Sequence, residues 1–218
     1  MLRGKKLSIL GDSISTYKGV SNDKSANHTI VDNAYFYRPI FELSDTYWGR
    51  LLQMTGMTLC VNNSWSGGNL SGRSDLTSGV NRARNLCHNN GDKPDVIIVF
   101  MGINDVGRGI DPEVFREDYI ETLRIIKADH PDASVFCVNL PDRDIFLKKQ
   151  TEVYNNIINE AVSLSGDNFY VVDLFSSRLN NDYYYNNTLD GLHPDKDGMR
   201  IISEIIEGEM LKIQSSQN

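Results

Sequence analysis

Four short segments of the chain carry side chains whose types and spacing suit nucleophilic catalysis. They are residues 11–15 (GDSIS), 62–68 (NNSWSGG), 102–105 (GIND) and 190–193 (DGLH). The first offers a serine, the middle two offer glycine and amide donors, and the last offers a histidine three residues after a carboxylate. A serine needs a base to become nucleophilic, the base needs an orienting partner, and an oxyanion needs hydrogen-bond donors. Together the four segments predict acyl transfer at a serine.

Ser13, His193 and Asp190 are the predicted nucleophile, general base and orienting carboxylate. Ser13 lies at the first turn beyond a predicted strand. Asp190 and His193 straddle a glycine before the last predicted helix, a spacing that lets the carboxylate reach Nδ1 and leaves Nε2 for the serine. Taken alone, each motif has an ordinary alternative, because Asp12, Ser13 or Ser15 could cap a helix and Asp190 could cap a turn.

The predicted oxyanion donors are Gly67 and Asn104. A glycine after a strand lets the backbone approach a ligand closely, and an asparagine offers a side-chain amide. Gly68 adjoins Gly67 and is the competing position. The alternative for both segments is a turn, where glycine and asparagine are common.

Five further residues are candidates for substrate binding: Asp12, Tyr17, Trp65, Arg73 and Tyr185. Aromatic faces and polar groups suit a sugar ring better than a long acyl chain. The alternative for the tyrosines is packing at the sheet edge, and for Arg73, as for Arg108, a surface ion pair. Residues 16–45 follow the candidate nucleophile with weak periodicity, which leaves open a lid over the pocket or a surface loop.

Five continuous apolar runs are typical of strands buried in a parallel sheet. They cover residues 6–10, 58–62, 96–101, 134–139 and 169–174. Helical patterns lie at 46–53, 75–87, 111–130 and 144–165, and after 194. This alternation predicts one α/β domain over residues 1–218, a three-layer sandwich with a five-stranded parallel sheet and helices on both faces. Ser13, Gly67, Asn104 and Asn139 follow strands and should share one edge of the sheet.

Composition narrows the classes of partner and the compartment. The net charge of -7 argues against nucleic acid or an anionic membrane as the main partner. Cys60, Cys87 and Cys137 cannot all pair within the chain, and their apolar surroundings are typical of buried thiols in a reducing compartment. The N-terminus leads directly into a strand instead of a signal peptide, so we expect a cytoplasmic protein. The alternative is an exported protein whose signal is missing from this sequence.

The four segments resemble the sequence blocks of the SGNH/GDSL hydrolase family. Ser13 matches the block I serine, Gly67 the block II glycine, Asn104 the block III asparagine, and Asp190 with His193 the block V DxxH. The resemblance covers nearly the whole chain and implies a flavodoxin-like sheet, ester hydrolysis, and an oxyanion hole of serine N–H, glycine N–H and asparagine amide. Block I reads GDSIS instead of GDSL, which leaves the nucleophile in place. The chain has no GxSxG, which argues against an α/β-hydrolase.

We therefore expect a serine esterase that acts on small acyl esters, above all O-acetyl groups on carbohydrate. The expected partner is a small-molecule or glycan ester, with no nucleic acid and no membrane, and the oligomeric state stays open. The alternatives are a lysophospholipase or acyl-thioesterase of the same family, or an inert binding module. A metal enzyme is a distant alternative. Asp12, Asp190 and His193 could ligate an ion, but further ligands at usable spacing are missing, so we expect no metal and no cofactor.

Overall fold

A five-stranded parallel sheet forms the centre of the protein in a computed structural model that describes residues 2–17, 40, 42–141, 147–177, 179 and 186–216. The strands are β1 (Lys6–Gly11), β2 (Thr58–Ser64), β3 (Val96–Phe100), β4 (Ser134–Val138) and β5 (Phe169–Val172). Their order is β2-β1-β3-β4-β5. All five predicted strands are confirmed, with ends that differ by at most two residues. The apolar runs form strands because helices cover both faces of the sheet and leave no polar face.

Six α-helices accompany the sheet within the described ranges. They are α1 (Tyr47–Thr55), α2 (Gly79–Arg82), α3 (Ile103–Arg108), α4 (Pro112–Asp129), α5 (Lys148–Ser165) and α6 (Lys196–Ser216). Local sequence fixes several ends. Thr46 caps α1 by accepting a hydrogen bond from the Gly49 N–H, and Asp111 caps α4 ahead of a proline in its first turn. His130 ends α4, as the sequence predicts.

The helices pack in two groups, α1 with α6 and α4 with α5. The strand order explains this division. The connection from β1 to β2 moves along the sheet in one direction, whereas those from β3 to β4 and from β4 to β5 move in the other. Since such connections are right-handed, the two directions place helices on opposite faces. The three-layer α/β fold is thus confirmed.

The structure corrects several local predictions. The helix predicted at 75–87 is only the single turn α2, and the short α3 was not predicted. The helix predicted from 144 begins at Lys148 in the described part of the chain, since residues 142–146 lie outside it. Cys60 and Cys137 are buried as predicted, but Cys87 is half-buried. Of the segment 16–45, residues 18–39 and 41 lie outside the described residues, and so does its predicted role as lid or loop.

The register of the sheet brings three chain exits to one level. Gly11, the last residue of β1, pairs with Ser64 of β2 and with Phe100 of β3. The segments that leave these three strands therefore start side by side at the carboxyl edge. Of the helices in the described ranges, none combines the length and the apolar character that a membrane crossing needs.

Candidate active site

The candidate nucleophile lies in a tight turn at the end of β1. Ser13 begins a 3-10 turn, Ser13–Ser15, and Asp12 caps that turn by accepting the Ile14 N–H at 3.0 Å. The chain is crowded here, because a Cβ at Gly11 would lie 2.5 Å from the Ser15 Cβ. Glycine is therefore required for the chain to turn so closely. The turn leaves Ser13 only 3% exposed.

A continuous chain of hydrogen bonds joins Ser13, His193 and Asp190. The Ser13 Oγ lies 2.9 Å from His193 Nε2, and His193 Nδ1 lies 2.8 Å from Asp190 Oδ2. An ionised carboxylate only accepts hydrogen bonds, so it selects the tautomer in which Nδ1 carries the proton. Nε2 is then the acceptor for the Ser13 hydroxyl. The structure thus brings together three residues that are 180 positions apart at their extremes.

The Asp190 carboxylate is held by the turn that precedes α6. Its Oδ1 accepts the N–H groups of Leu192 at 3.0 Å and His193 at 2.8 Å, while Oδ2 faces the imidazole. Gly191 has a φ of 79°, a left-handed conformation that glycine adopts without strain. The side chain of Asp190 is nevertheless 40% exposed, whereas that of His193 is 8% exposed. One edge of this site therefore meets solvent.

The two candidate oxyanion glycines differ in what their N–H groups do. The Gly68 N–H donates to the Trp65 carbonyl at 3.0 Å. In the part of the chain that the structure describes, the Gly67 N–H donates to no protein group. The Asn104 amide donates one hydrogen bond to the Gly68 carbonyl at 2.9 Å and has a second N–H to offer. Gly67 is thus better suited than Gly68 to bind an oxyanion.

Helix α3 holds the segment that contains these glycines through hydrogen bonds. Asp105 is fully buried and accepts the N–H groups of Leu70 at 2.8 Å and Ser71 at 3.0 Å. Burial raises the pKa of the Asp105 carboxyl above its usual value, although these hydrogen bonds oppose the shift. At the other end of α3, the Arg108 Nη1 donates to the Gly67 carbonyl at 2.8 Å. One short helix therefore positions the chain from residue 67 to residue 71.

A buried arginine that the sequence analysis missed ties the strand exits together. Arg82 is 3% exposed and donates to main-chain carbonyls of Gly11 at 3.0 Å and Thr77 at 2.8 Å, and also to that of Asn63. Burial lowers the pKa of Arg82 to about 10, so it stays charged at neutral pH. Burial likewise raises the pKa of the neighbouring Asp12 to about 7.

A second supporting group holds the carbonyl and hydroxyl of Ser15. The Ser15 carbonyl accepts the Trp48 indole N–H at 3.1 Å and the Asn62 amide at 2.8 Å. Its hydroxyl lies 2.8 Å from the Tyr47 hydroxyl. Long sequence separation explains why the sequence gives no signal for these contacts. Asn139, expected at the same edge, orders the end of β5 by accepting the Leu174 N–H at 2.7 Å.

The predicted substrate-binding residues fare differently. Asp12 is 1% exposed and caps the turn, so its carboxylate does not line an open surface. Arg73 forms an ion pair with Asp118 at 2.6 Å, which agrees with the alternative of a surface ion pair and not with substrate binding. Trp65 and Tyr17 are half-buried at the strand exits, and Tyr185 lies outside the described residues. Among the residues described, no three His, Cys, Asp or Glu side chains cluster as a metal site would require.

Comparison with known proteins identifies the family of this sequence. The sequence model of the GDSL-like Lipase/Acylhydrolase family matches residues 9–201. No curated protein sequence matches the chain. A structure from Bacteroides ovatus, described as a GDSL-like lipase, superposes with a TM-score of 0.73 at 22% identity, over 96% of this chain and 99% of that one.

Two carbohydrate esterases share the fold. A family two carbohydrate esterase from Clostridium thermocellum, in complex with cellohexaose, has a TM-score of 0.70 at 17% identity over 99% of this chain and 66% of that one. A family 3 carbohydrate esterase from the same organism has a TM-score of 0.66 at 16% identity, over 99% of both chains. The family match spans most of the sequence and includes the segments that carry the candidate site residues. The chain is an ester hydrolase that belongs to the GDSL-like lipase/acylhydrolase family.

Proposed function

We propose that the protein is a serine esterase that removes small acyl groups, above all O-acetyl groups from carbohydrate. Ser13 is the nucleophile, His193 the general base and Asp190 the orienting carboxylate. The observation that carries this proposal is the unbroken series of hydrogen bonds from Asp190 through His193 to the Ser13 hydroxyl. It supports catalysis over an inert binding module, because no member of the series is missing or turned away.

The geometry supports acylation of Ser13 as the first half-reaction. The Ser13 oxygen attacks the acyl carbon while its proton moves to His193 Nε2. Asp190 stabilises the imidazolium that forms. The electron pair of the carbonyl bond moves to the acyl oxygen, and the N–H groups of Gly67, Asn104 and Ser13 bind the resulting oxyanion. The tetrahedral intermediate then expels the alcohol, which takes the proton from His193 and leaves an acyl-serine.

Hydrolysis of the acyl-serine repeats these steps with water. His193, neutral again after the first half-reaction, accepts a proton from a water molecule that attacks the acyl carbon. The same donors bind the second oxyanion. Collapse of this intermediate breaks the bond to Ser13, whose oxygen recovers its proton from His193, and releases the carboxylic acid. The exposed edge of Asp190 marks a side from which water reaches the site.

Two observations support a carbohydrate ester as substrate. Carbohydrate esterases of two families share the fold over nearly the whole chain, and one of them binds cellohexaose. The half-buried Trp65 follows β2 directly, two residues before the candidate oxyanion glycine Gly67. A lysophospholipase or acyl-thioesterase would need an apolar acyl channel. The dependence of rate on acyl length separates these possibilities.

The test is hydrolysis of p-nitrophenyl esters from acetate to octanoate by wild type, Ser13→Ala and Ser74→Ala. Ser74 is an exposed serine on the loop after β2 and serves as the matched control. We expect rates that fall beyond acetate or butyrate, vanish in Ser13→Ala and persist in Ser74→Ala. Release of acetate from glucose pentaacetate extends the test to a sugar. Rates that rise with acyl length would contradict the acetylesterase. Turnover that survives Ser13→Ala would contradict the serine mechanism.

A further inference from the structure

The guanidinium of Arg108 lies directly against the candidate oxyanion glycine. Its Nη1 donates to the Gly67 carbonyl at 2.8 Å and also to the Asn69 side-chain oxygen. Its Nη2 would lie 3.5 Å from a Cβ placed on Gly67. Arg108 is the last residue of α3, the helix that also carries Asn104. Arg108 is exposed, so this positive group is accessible from solvent.

The charge of Arg108 has no protein counterpart in the described ranges. Its hydrogen-bond acceptors are two neutral oxygens, and no carboxylate of a described residue lies within ion-pair distance of it. Two other exposed arginines differ, since Arg73 pairs with Asp118 at 2.6 Å and Arg124 pairs with Glu121 at 2.7 Å. In a chain with a net charge of -7, carboxylates are abundant. The guanidinium beside the candidate oxyanion glycine Gly67 is nevertheless not neutralised by any described residue.

The unused donors of Arg108 form the edge that recognises carboxylates. Both N–H groups of Nη1 donate hydrogen bonds to the segment after β2, whereas Nε and Nη2 donate to no described residue. Nε and Nη2 present two parallel N–H groups, which match the two oxygens of a carboxylate. The contacts through Nη1 hold the guanidinium in place, so little rotamer freedom remains to be lost when an anion binds.

We propose that Arg108 forms an anion subsite, and that the preferred substrates are acyl esters that bear a carboxylate close to the scissile bond. This inference rests on the proposed esterase function and narrows its substrate class. The carboxylate belongs either to the alcohol, as in an ester of an acidic sugar, or to the acyl group, as in a half-ester of a dicarboxylic acid. In both cases Arg108 binds it through the Nε and Nη2 edge while Gly67 binds the oxyanion.

The experiment compares matched anionic and neutral esters. For the alcohol side, the pair is 3-acetoxybenzoate and 3-acetoxybenzamide. For the acyl side, it is monomethyl succinate and methyl succinamate. The measured quantity is the ratio of kcat/KM for the anionic ester to that for its amide, in wild type, Arg108→Gln, Arg108→Lys and Arg124→Gln. The last variant removes the same charge at a remote, exposed position on α4.

We expect Arg108→Gln to lower the ratio about tenfold for one pair, the effect of losing a charge-assisted hydrogen bond near solvent. Arg108→Lys keeps part of the ratio, and Arg124→Gln leaves it unchanged. The pair that responds identifies the side that carries the carboxylate. An equal loss on both members of each pair would overturn the subsite and make Arg108 a clamp for the Gly67 segment. Failure of wild type to hydrolyse any of the four esters would instead refute the esterase function on which the subsite depends.

Discussion

Replacing Asp190 by asparagine should harm catalysis more than removing its side chain altogether. The reason lies in the two N–H groups, from Leu192 and His193, that point at Oδ1. In Asp190→Asn the amide oxygen must occupy that place, because an NH₂ group there would face two donors. The NH₂ group then faces His193 Nδ1, donates to it and favours the tautomer with the proton on Nε2. That tautomer cannot accept the Ser13 proton.

The size of the effect follows from the same contacts. Loss of the carboxylate should lower kcat by about 10³-fold in Asp190→Ala, where water reaches Nδ1 and the imidazole still samples the productive tautomer. The carboxylate is 40% exposed, so water can take its place. In Asp190→Asn, one net hydrogen bond of about 1 to 1.5 kcal/mol favours the wrong tautomer and lowers kcat about tenfold further. The total loss is then about 10⁴-fold.

The assay is steady-state hydrolysis of p-nitrophenyl acetate, with kcat and KM determined separately for each variant. Asp195→Asn is the matched control, since Asp195 also accepts a backbone N–H, that of Gly198 at 2.9 Å, but lies outside the series of hydrogen bonds to Ser13. Thermal unfolding checks that the variants fold. An Asp190→Asn enzyme as active as Asp190→Ala, or more active, would refute the argument that the turn fixes the orientation of the amide.

Three other substitutions test separate parts of the site and core. Asn104→Ala removes one oxyanion donor and should lower kcat by about 10²- to 10³-fold with little change in KM, as steady-state kinetics would show. Burial lowers the pKa of His130, whose ring nitrogens have no partner among the described residues. The folded state therefore resists protonation of His130, and stability is lost as pH falls below about 6.5. Thermal melts from pH 7.5 to 5 should show the Tm of His130→Leu rising relative to that of wild type as the pH falls. A Tm difference that does not change with pH would contradict this. The pH dependence of stability that Asp12 contributes has the opposite sign. Because its pKa is raised to about 7, its burial destabilises the fold increasingly as pH rises from about 4 towards 7. Asp12→Asn keeps an oxygen for the Ile14 N–H. In urea denaturation, its gain in free energy of unfolding over wild type should be largest at pH 8 and smallest at pH 5.

The sheet could be predicted from sequence because its signal is local. Each strand is a continuous apolar run, and a run of that kind has few other places in a folded domain. Helix α3 escaped prediction because its six residues show no amphipathic period and include Gly107. The helix predicted at 75–87 is reduced to one turn because the residues of its expected first turn form other hydrogen bonds. There the Asn81 amide donates to the carbonyls of Arg73 and Asp75.

Contacts between distant residues explain the rest of the differences. Nothing near Arg73 in sequence indicates that Asp118 neutralises it, since the two are 45 positions apart. Arg82 gave no signal at all, because arginine is rarely buried and its partners here are carbonyls, which every residue has. By contrast, Asp190 and His193 are only three positions apart, so their pairing could be predicted from the turn between them.

The hydrogen bonds between α3 and residues 67–71 make two distant stretches of sequence, 65–73 and 102–108, a single exchangeable unit. The chain from 65 to 73 is neither helix nor strand, and it borrows hydrogen-bond partners from α3 and from Asp118 of α4. A chimera that imports this stretch from a relative without its own α3 would leave buried N–H groups facing mismatched side chains. Altered specificity in this family member is therefore to be sought by exchanging 65–73 and 102–108 together, with residue 118 matched to the donor.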